Sequence, residues 1–238
     1  MRALKTLLFA SAAAMLFASI ANAGSITGSV ATPPTNVNLA TEGTSDWVHW
    51  GLNVATDVNH KSTGGSQIGA LTLIGAGTTK ARLSDSTSKY SWTSGTPTAT
   101  ANNSPTGVYI NKFDGPGRGF QFTAPADLDE RILEVFLGEF DASGTLEASL
   151  TDNSADVYTS VLAGLSNQTV QGMYTLKYKA DSPNQMLTIK WTETADLGAA
   201  DNLTLQGAAL RLSVVPEPTT LACGFAALAL AVSLRRKK

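Results

Sequence analysis

The side chains best equipped for chemistry crowd into one short run, Asp46-Trp47-Val48-His49-Trp50. Read as a strand, the run sends successive side chains to opposite faces. Val48, Trp50 and Leu52 then make one apolar face, and Trp47 and His49 make the other. A solvent-facing Trp47 beside His49 and Asp46 has the means to stack a sugar ring and to hydrogen-bond its hydroxyls. These three are the candidate sugar-binding residues, and Tyr90, Trp92 and Tyr109 share that status as aromatics. The competing reading is that a loop or the N-terminal segment covers Trp47.

Other chemistry finds thin support. Only two histidines occur, His49 and His60, and no Gly-x-Ser-x-Gly elbow accompanies them. Glycoside hydrolysis needs two carboxylates facing one cleft; Glu42, Asp46, Glu134 and Glu139 could supply them, but the sequence gives no pairing. Asp152-Asn153-Ser154-Ala155-Asp156 sets oxygen ligands at alternating positions as calcium loops do, yet it lacks their glycine and distal glutamate. Gly115 to Phe120 is rich in glycine but precedes a strand and has no Lys-Ser/Thr pair, so it reads as a turn and not a phosphate cradle. The expectation is a protein without catalytic residues, cofactor or metal.

The elements that would position these groups are short and alternating. Leu146-Ala148-Leu150, Tyr174-Leu176-Tyr178 and Leu187-Ile189-Trp191 each alternate with polar neighbours. Asn202 to Leu212 has the same character, with Gly207 as a bulge position. Asp127 to Phe140 is compatible with a helix; a strand over Ile132–Phe140, apolar on both faces and therefore central, is preferred. Ser25 to Thr44 reads as a leading strand or linker broken at Pro33-Pro34, and Thr93 to Ser104 as a polar loop. Many short strands separated by turns predict an all-β fold, a two-sheet jelly-roll-like β-sandwich over residues 45–214 with 24–44 leading into it.

The two ends carry a different message. Arg2 and Lys5, an apolar stretch from Leu7 to Ile20, and Ala21-Asn22-Ala23 have the order of a secretory signal over residues 1–23. At the other end, Pro216-Glu217-Pro218 precedes an apolar run and the block Arg235-Arg236-Lys237-Lys238. Thr219 to Leu234 is short for a transmembrane helix, since a hydrocarbon core of about 30 Å asks for roughly 20 residues. The terminal cations belong on the cytoplasmic side, which puts the folded part outside. Cys223, the single cysteine, falls inside this run, so the rest of the chain can form no disulfide of its own. Between residues 24 and 217, eleven cations face 19 acids, a net charge of −8. That balance excludes the basic footprint of a nucleic-acid binder.

The order Pro-Glu-Pro, apolar helix and basic tail over residues 215–238 resembles the PEP-CTERM sorting signal of exopolysaccharide-producing Gram-negative bacteria. The resemblance implies signal peptidase and exosortase as partners in export, transient anchoring in the inner membrane, and removal of the tail near Pro216-Glu217-Pro218. A second resemblance spans Asn38 to Arg211. Glu42 to Gly51, Tyr90-Ser91-Trp92, Gly107-Val108-Tyr109, Gly119-Phe120 and Asn202 to Gln206 are similar to jelly-roll, galactose-binding-like modules of bacterial secreted proteins. Three functions are open: a noncatalytic envelope or matrix protein with a structural or adhesive role in exopolysaccharide or biofilm, a carbohydrate-binding module using Trp47, and a secreted hydrolase.

Overall fold

The computed structural model describes residues 24–110 and 115–213. The signal segment 1–23, Pro216-Glu217-Pro218, the apolar run 219–234 and the tail Arg235 to Lys238 lie outside the described residues. No helix among the described residues is long and apolar enough to cross a membrane. The described chain is nearly all β, with 17 strands and one four-residue helix.

The long alternating segments build two facing sheets. In the larger, the order is β1 (Ser25–Ala31), β15 (Thr169–Lys179), β12 (Arg131–Phe140), β17 (Asn202–Leu212), β3 (Asp46–Trp50), β4 (Val58–Lys61) and β8 (Gly95–Thr96). β10 (Gly107–Ile110) also pairs with β17, and β6 (Lys80–Leu83) pairs with β10. The smaller sheet runs β14 (Tyr158–Leu162), β13 (Ala142–Leu150), β16 (Gln185–Asp196), β11 (Gly119–Ala126) and β5 (Thr72–Ile74). Between the sheets lie Leu133, Val135 and Leu137 from β12, Tyr174, Leu176 and Tyr178 from β15, and Leu187, Ile189 and Trp191 from β16, all essentially inaccessible. Burying side chains of this size stabilises by about 1.5–3 kcal/mol each.

β12 is a strand, as expected from apolar residues on both its faces. Its register against β17 slips between Phe136 and Leu137, where Gln206 is the extra residue beside Gly207. This bulge lets one edge of β17 serve two strands, β3 beyond it and β10 before it. Gly51 closes β3 where those two strands come together: its φ is +72°, and a Cβ there would meet the Gly107 carbonyl oxygen at 2.0 Å.

A third layer was not expected. β2 (Asn36–Asn38), β7 (Lys89–Trp92) and β9 (Ala101–Ser104) form a small sheet, and α1 (Leu39–Glu42), capped by the Asn38 carboxamide, continues from β2. This cap lies over the outer face of the large sheet. Val37, Leu39, Tyr90 and Trp92 from the cap close on Trp47, Phe136 and Ala209 to make a second apolar cluster. Part of the segment read as a polar loop, Thr93 to Ser104, is therefore strand. Residues 24–44 are equally built in: β1 pairs with β15 at seven positions, and β2 and α1 belong to the cap.

Candidate functional site

The expectation of outward-facing Trp47 and His49 with Asp46 beside them is corrected: the cap covers Trp47 and His49, and the loop before β5 closes over Asp46. All three are 0% exposed, as inaccessible as Trp50. The Trp47 ring packs at 5.4 Å from the Trp92 ring. His49 lies 4.9 Å from Trp92 and 5.8 Å from Tyr90, and its Nε2–H donates to the Thr106 carbonyl at 3.1 Å. Burial holds the imidazole pKa at about 4, so it is neutral near pH 7. Asp46 accepts from the backbone N–H groups of Trp47 at 2.8 Å, Gln67 at 2.7 Å and Ile68 at 2.9 Å, which ties the loop before β5 to β3. Trp47 and His49 are structural posts under the cap, Asp46 anchors the loop before β5, and none of the three offers a ligand a surface. Tyr90 and Trp92 are buried with them at 1% exposure, leaving Tyr109 as the half-exposed member of the aromatic candidates.

Tyr109 points instead toward a groove beside the cap. Two hollows of about 400 and 270 Å³ adjoin there, sharing Leu83, Asp85, Ala200 and Asn202. Arg82, Ser84 and Tyr109 complete the first; Ser86, Phe140, Thr169, Gln171 and Thr204 complete the second. Its floor is the outer face of β10, β12, β15 and β17, and one wall is the loop between β6 and β7. That wall is fixed by Gln171. Its Oε1 accepts from Thr87 Oγ1 at 2.6 Å and from the Ser88 N–H at 3.1 Å, and its Nε2 donates to Ser86 Oγ at 2.8 Å. On the floor, Gln206 Nε2 donates to Thr204 Oγ1 at 3.0 Å.

The groove thus offers a partly exposed phenol ring, a guanidinium, a carboxylate and an amide within one surface. Rings stack on apolar faces while amides, carboxylates and guanidinium groups pair with hydroxyls. Of its lining, only Tyr109 belonged to the sequence candidates. Arg82, Asp85, Phe140, Gln171 and Asn202 come from five separate strands or loops and share no motif.

The remaining sequence candidates have local explanations. Glu42 and Glu134 share Arg211, whose Nη2 lies 2.7 Å from Glu134 Oε1 and whose Nη1 lies 3.6 Å from Glu42 Oε2. Asp152 closes a turn, accepting from the Ser154 N–H at 3.1 Å, Ser154 Oγ at 2.7 Å and the Asp181 N–H at 3.0 Å. Gly115 and Gly117 take positive φ in a turn that directs Arg118 to Thr78 Oγ1 at 3.0 Å. No group of three or more His, Cys, Asp or Glu among the described residues is arranged to hold a metal ion.

At one acidic end of the sandwich, Glu139, named from the sequence without a partner, meets carboxylates that sequence reading did not single out. Glu139 accepts from the Ala142 N–H at 3.3 Å, and burial, reinforced by Asp141, pushes its carboxyl up to about 7. Burial also raises Asp201, which bonds the Glu193 side chain, with Asp196 and Asp141 adding to the rise. A carboxyl that donates to a carboxylate must carry a proton. The three strand ends meeting here, from β12, β16 and β17, come together only in the fold.

Against this geometry stand the comparisons with known proteins. No protein family and no curated protein sequence matches the chain. Among solved structures, the enzymatically active domain of tailspike protein 4 of bacteriophage CBA120 aligns at 12% identity over 62% of this chain and 20% of its own, with a TM-score of 0.37. The CBM22-1–GH10 modules of Clostridium thermocellum endo-1,4-β-D-xylanase 10B, complexed with xylohexaose, align at 14% identity over 58% and 26%, TM-score 0.32. The xylan-binding module CBM15 aligns at 14% identity over 61% of this chain and 97% of its own, TM-score 0.31. The chain spans about a fifth of the tailspike chain and a quarter of the xylanase chain. Alignments this distant transfer neither ligand nor activity.

Proposed function

We propose that the chain is an exported, noncatalytic protein of the envelope or extracellular matrix, a jelly-roll-like sandwich whose groove beside the cap binds neutral oligosaccharide. The binding reading rests on one observation: half-exposed Tyr109 lines the same hollow as Arg82, Asp85 and Asn202. Ring stacking and hydroxyl pairing are then available together, which is what a sugar requires. The export reading rests on the two ends of the sequence. In it, signal peptidase removes residues 1–23 and exosortase acts near Pro216-Glu217-Pro218, releasing the apolar run 219–234 and Arg235 to Lys238. With residues 24–217 at a net charge of −8, the processed chain gains little from attraction to anionic polymers, so its adhesion would come from many weak neutral contacts acting together.

Two measurements test these claims. A glycan array with the purified protein, followed by titration at low and high salt, should show weak binding that salt barely alters. Tyr109→Ala and Asn202→Ala should each reduce it about five- to thirtyfold, as the loss of roughly 1–2 kcal/mol requires. Binding unchanged by both substitutions removes the groove from the account, and silence across a broad panel leaves only a structural role. Separately, the intact mass of protein from an exosortase-positive host should lack Arg235 to Lys238; recovery of the full tail on exported protein refutes the sorting route.

A further inference from the structure

Among the described residues, one side of the sandwich has no covering strand, and its two edge strands carry no charge. β1 begins the large sheet and is bonded only to β15; β14 ends the smaller sheet and is bonded only to β13. The two edges lie on the same side of the molecule. A Cβ on Gly28 would meet the Tyr158 ring, and one on Gly172 would touch both Val30 and Leu162. Each strand therefore turns a row of backbone N–H and C=O groups outward.

Exposed edges of this kind are ordinarily blunted by lysine, proline or a bulge. Here no such device appears within either strand, and their registers run without a slip. Residues 24–41 contain no charged side chain, and neither do residues 157–176. Asp152 and Asp156 stand at one end of the patch, Lys177 and Lys179 stand one strand in on β15, and exposed Glu147 stands one strand in on β13, opposite Thr159. Large apolar side chains are exposed along it: Val30 at 42%, Val157 at 57%, Val161 at 58% and Leu165 at 53%.

Charge distribution selects the occupant. Copies of an acidic chain repel wherever their charged faces meet, and this side is where a second copy can approach without that penalty. The geometry points to a twofold dimer in which this side meets the same side of a second copy, with β14 pairing antiparallel to β14 of the partner. Such a contact is self-complementary by symmetry. Five residues of strand and four apolar side chains make it small, below about 1,200 Å² in total, and so weak and reversible.

The test uses the purified full chain. Sedimentation over a rising concentration series should show monomer passing to dimer, and high salt should leave the transition in place or favour it, because no ion pair is involved. Val161→Lys, an exposed substitution that places a charge on the edge, should keep the protein monomeric with an unchanged thermal midpoint. In a Cys223→Ser background, Thr159→Cys or Val161→Cys should form disulfide-linked dimers under mild oxidation. Thr72→Cys, exposed on β5 at the far edge of the same sheet, should not. Monomer at every concentration, dimerisation unaffected by Val161→Lys, loss of the dimer in high salt, or equal cross-linking of the Thr72→Cys control each overturn the proposal.

Discussion

Trp47 and Trp50 point to opposite faces of β3, and both are at most 1% exposed. Trp47→Ala should therefore cost as much as Trp50→Ala, about 3–5 kcal/mol in denaturant unfolding. A much smaller cost for Trp47 would mean the cap is not seated as described. Two other buried side chains give the stability a characteristic pH profile. The His49 imidazole titrates at about 4 in the fold against an ordinary 6.5. Its contribution, on the order of 3 kcal/mol, is present above pH 6.5 and is lost as pH falls toward and through 4. Glu139 works in the opposite direction, with its carboxyl raised from 4.5 to about 7. Its contribution is complete below 4.5 and is lost as pH rises through 7. Glu139→Gln should accordingly stabilise the protein at pH 8 and have little effect at pH 4. Unfolding measured across that range would reject the assignment if the substitution acted equally at both ends.

At the scale of elements, Arg211 fastens α1 and β12 to β17. Glu134, its partner at 2.7 Å, has a side chain only 7% exposed. Arg211→Met strands that carboxylate without a counter-ion and should cost about 2–3 kcal/mol, less than a fully buried pair because Arg211 is itself partly solvated. Lys177→Met breaks the Lys177–Glu130 pair, where the lysine is 51% exposed, and should cost under about 1 kcal/mol. Equal costs would show that the Arg211 bridge is an ordinary surface pair. The sequence reveals the long strands because β13, β15 and β16 alternate over nine residues or more, enough for the period of two to emerge. It conceals the cap because β2, β7 and β9 have three or four residues each, and Asn36-Val37-Asn38 or Ala101-Asn102-Asn103-Ser104 reads as turn composition. That omission accounts for the misplacement of Trp47 and His49: alternation states which residues share a face, not whether another layer covers it. The groove was illegible for a related reason. Asp85, Phe140, Gln171 and Asn202 are dozens of residues apart and become neighbours through strand order alone.

At the scale of the whole molecule, stability owes nothing to cross-links, since the chain's single cysteine is Cys223. Reductant should leave the thermal midpoint of the monomeric fold unchanged, and a shift would point to an unexpected role for that thiol. What sets the order of assembly is the position of β17. The last strand described lies in the interior of the large sheet, with β12 on one side and β3 and β10 on the other. Until residues 202–212 are available, β12, β3 and β10 have no common partner, and the large sheet remains in separate pieces. The pairings that complete it span most of the chain, which makes for slow closure. A chain emerging N-terminus first would stay largely open and lock only as this last described strand arrives. The same placement determines how the finished molecule bears load. A pull applied beyond Ser213 enters through the middle of the sheet along an eleven-residue strand held on both sides, so many hydrogen bonds must shear together. A tether at β8 or β14 would instead peel one short edge ladder, bond by bond.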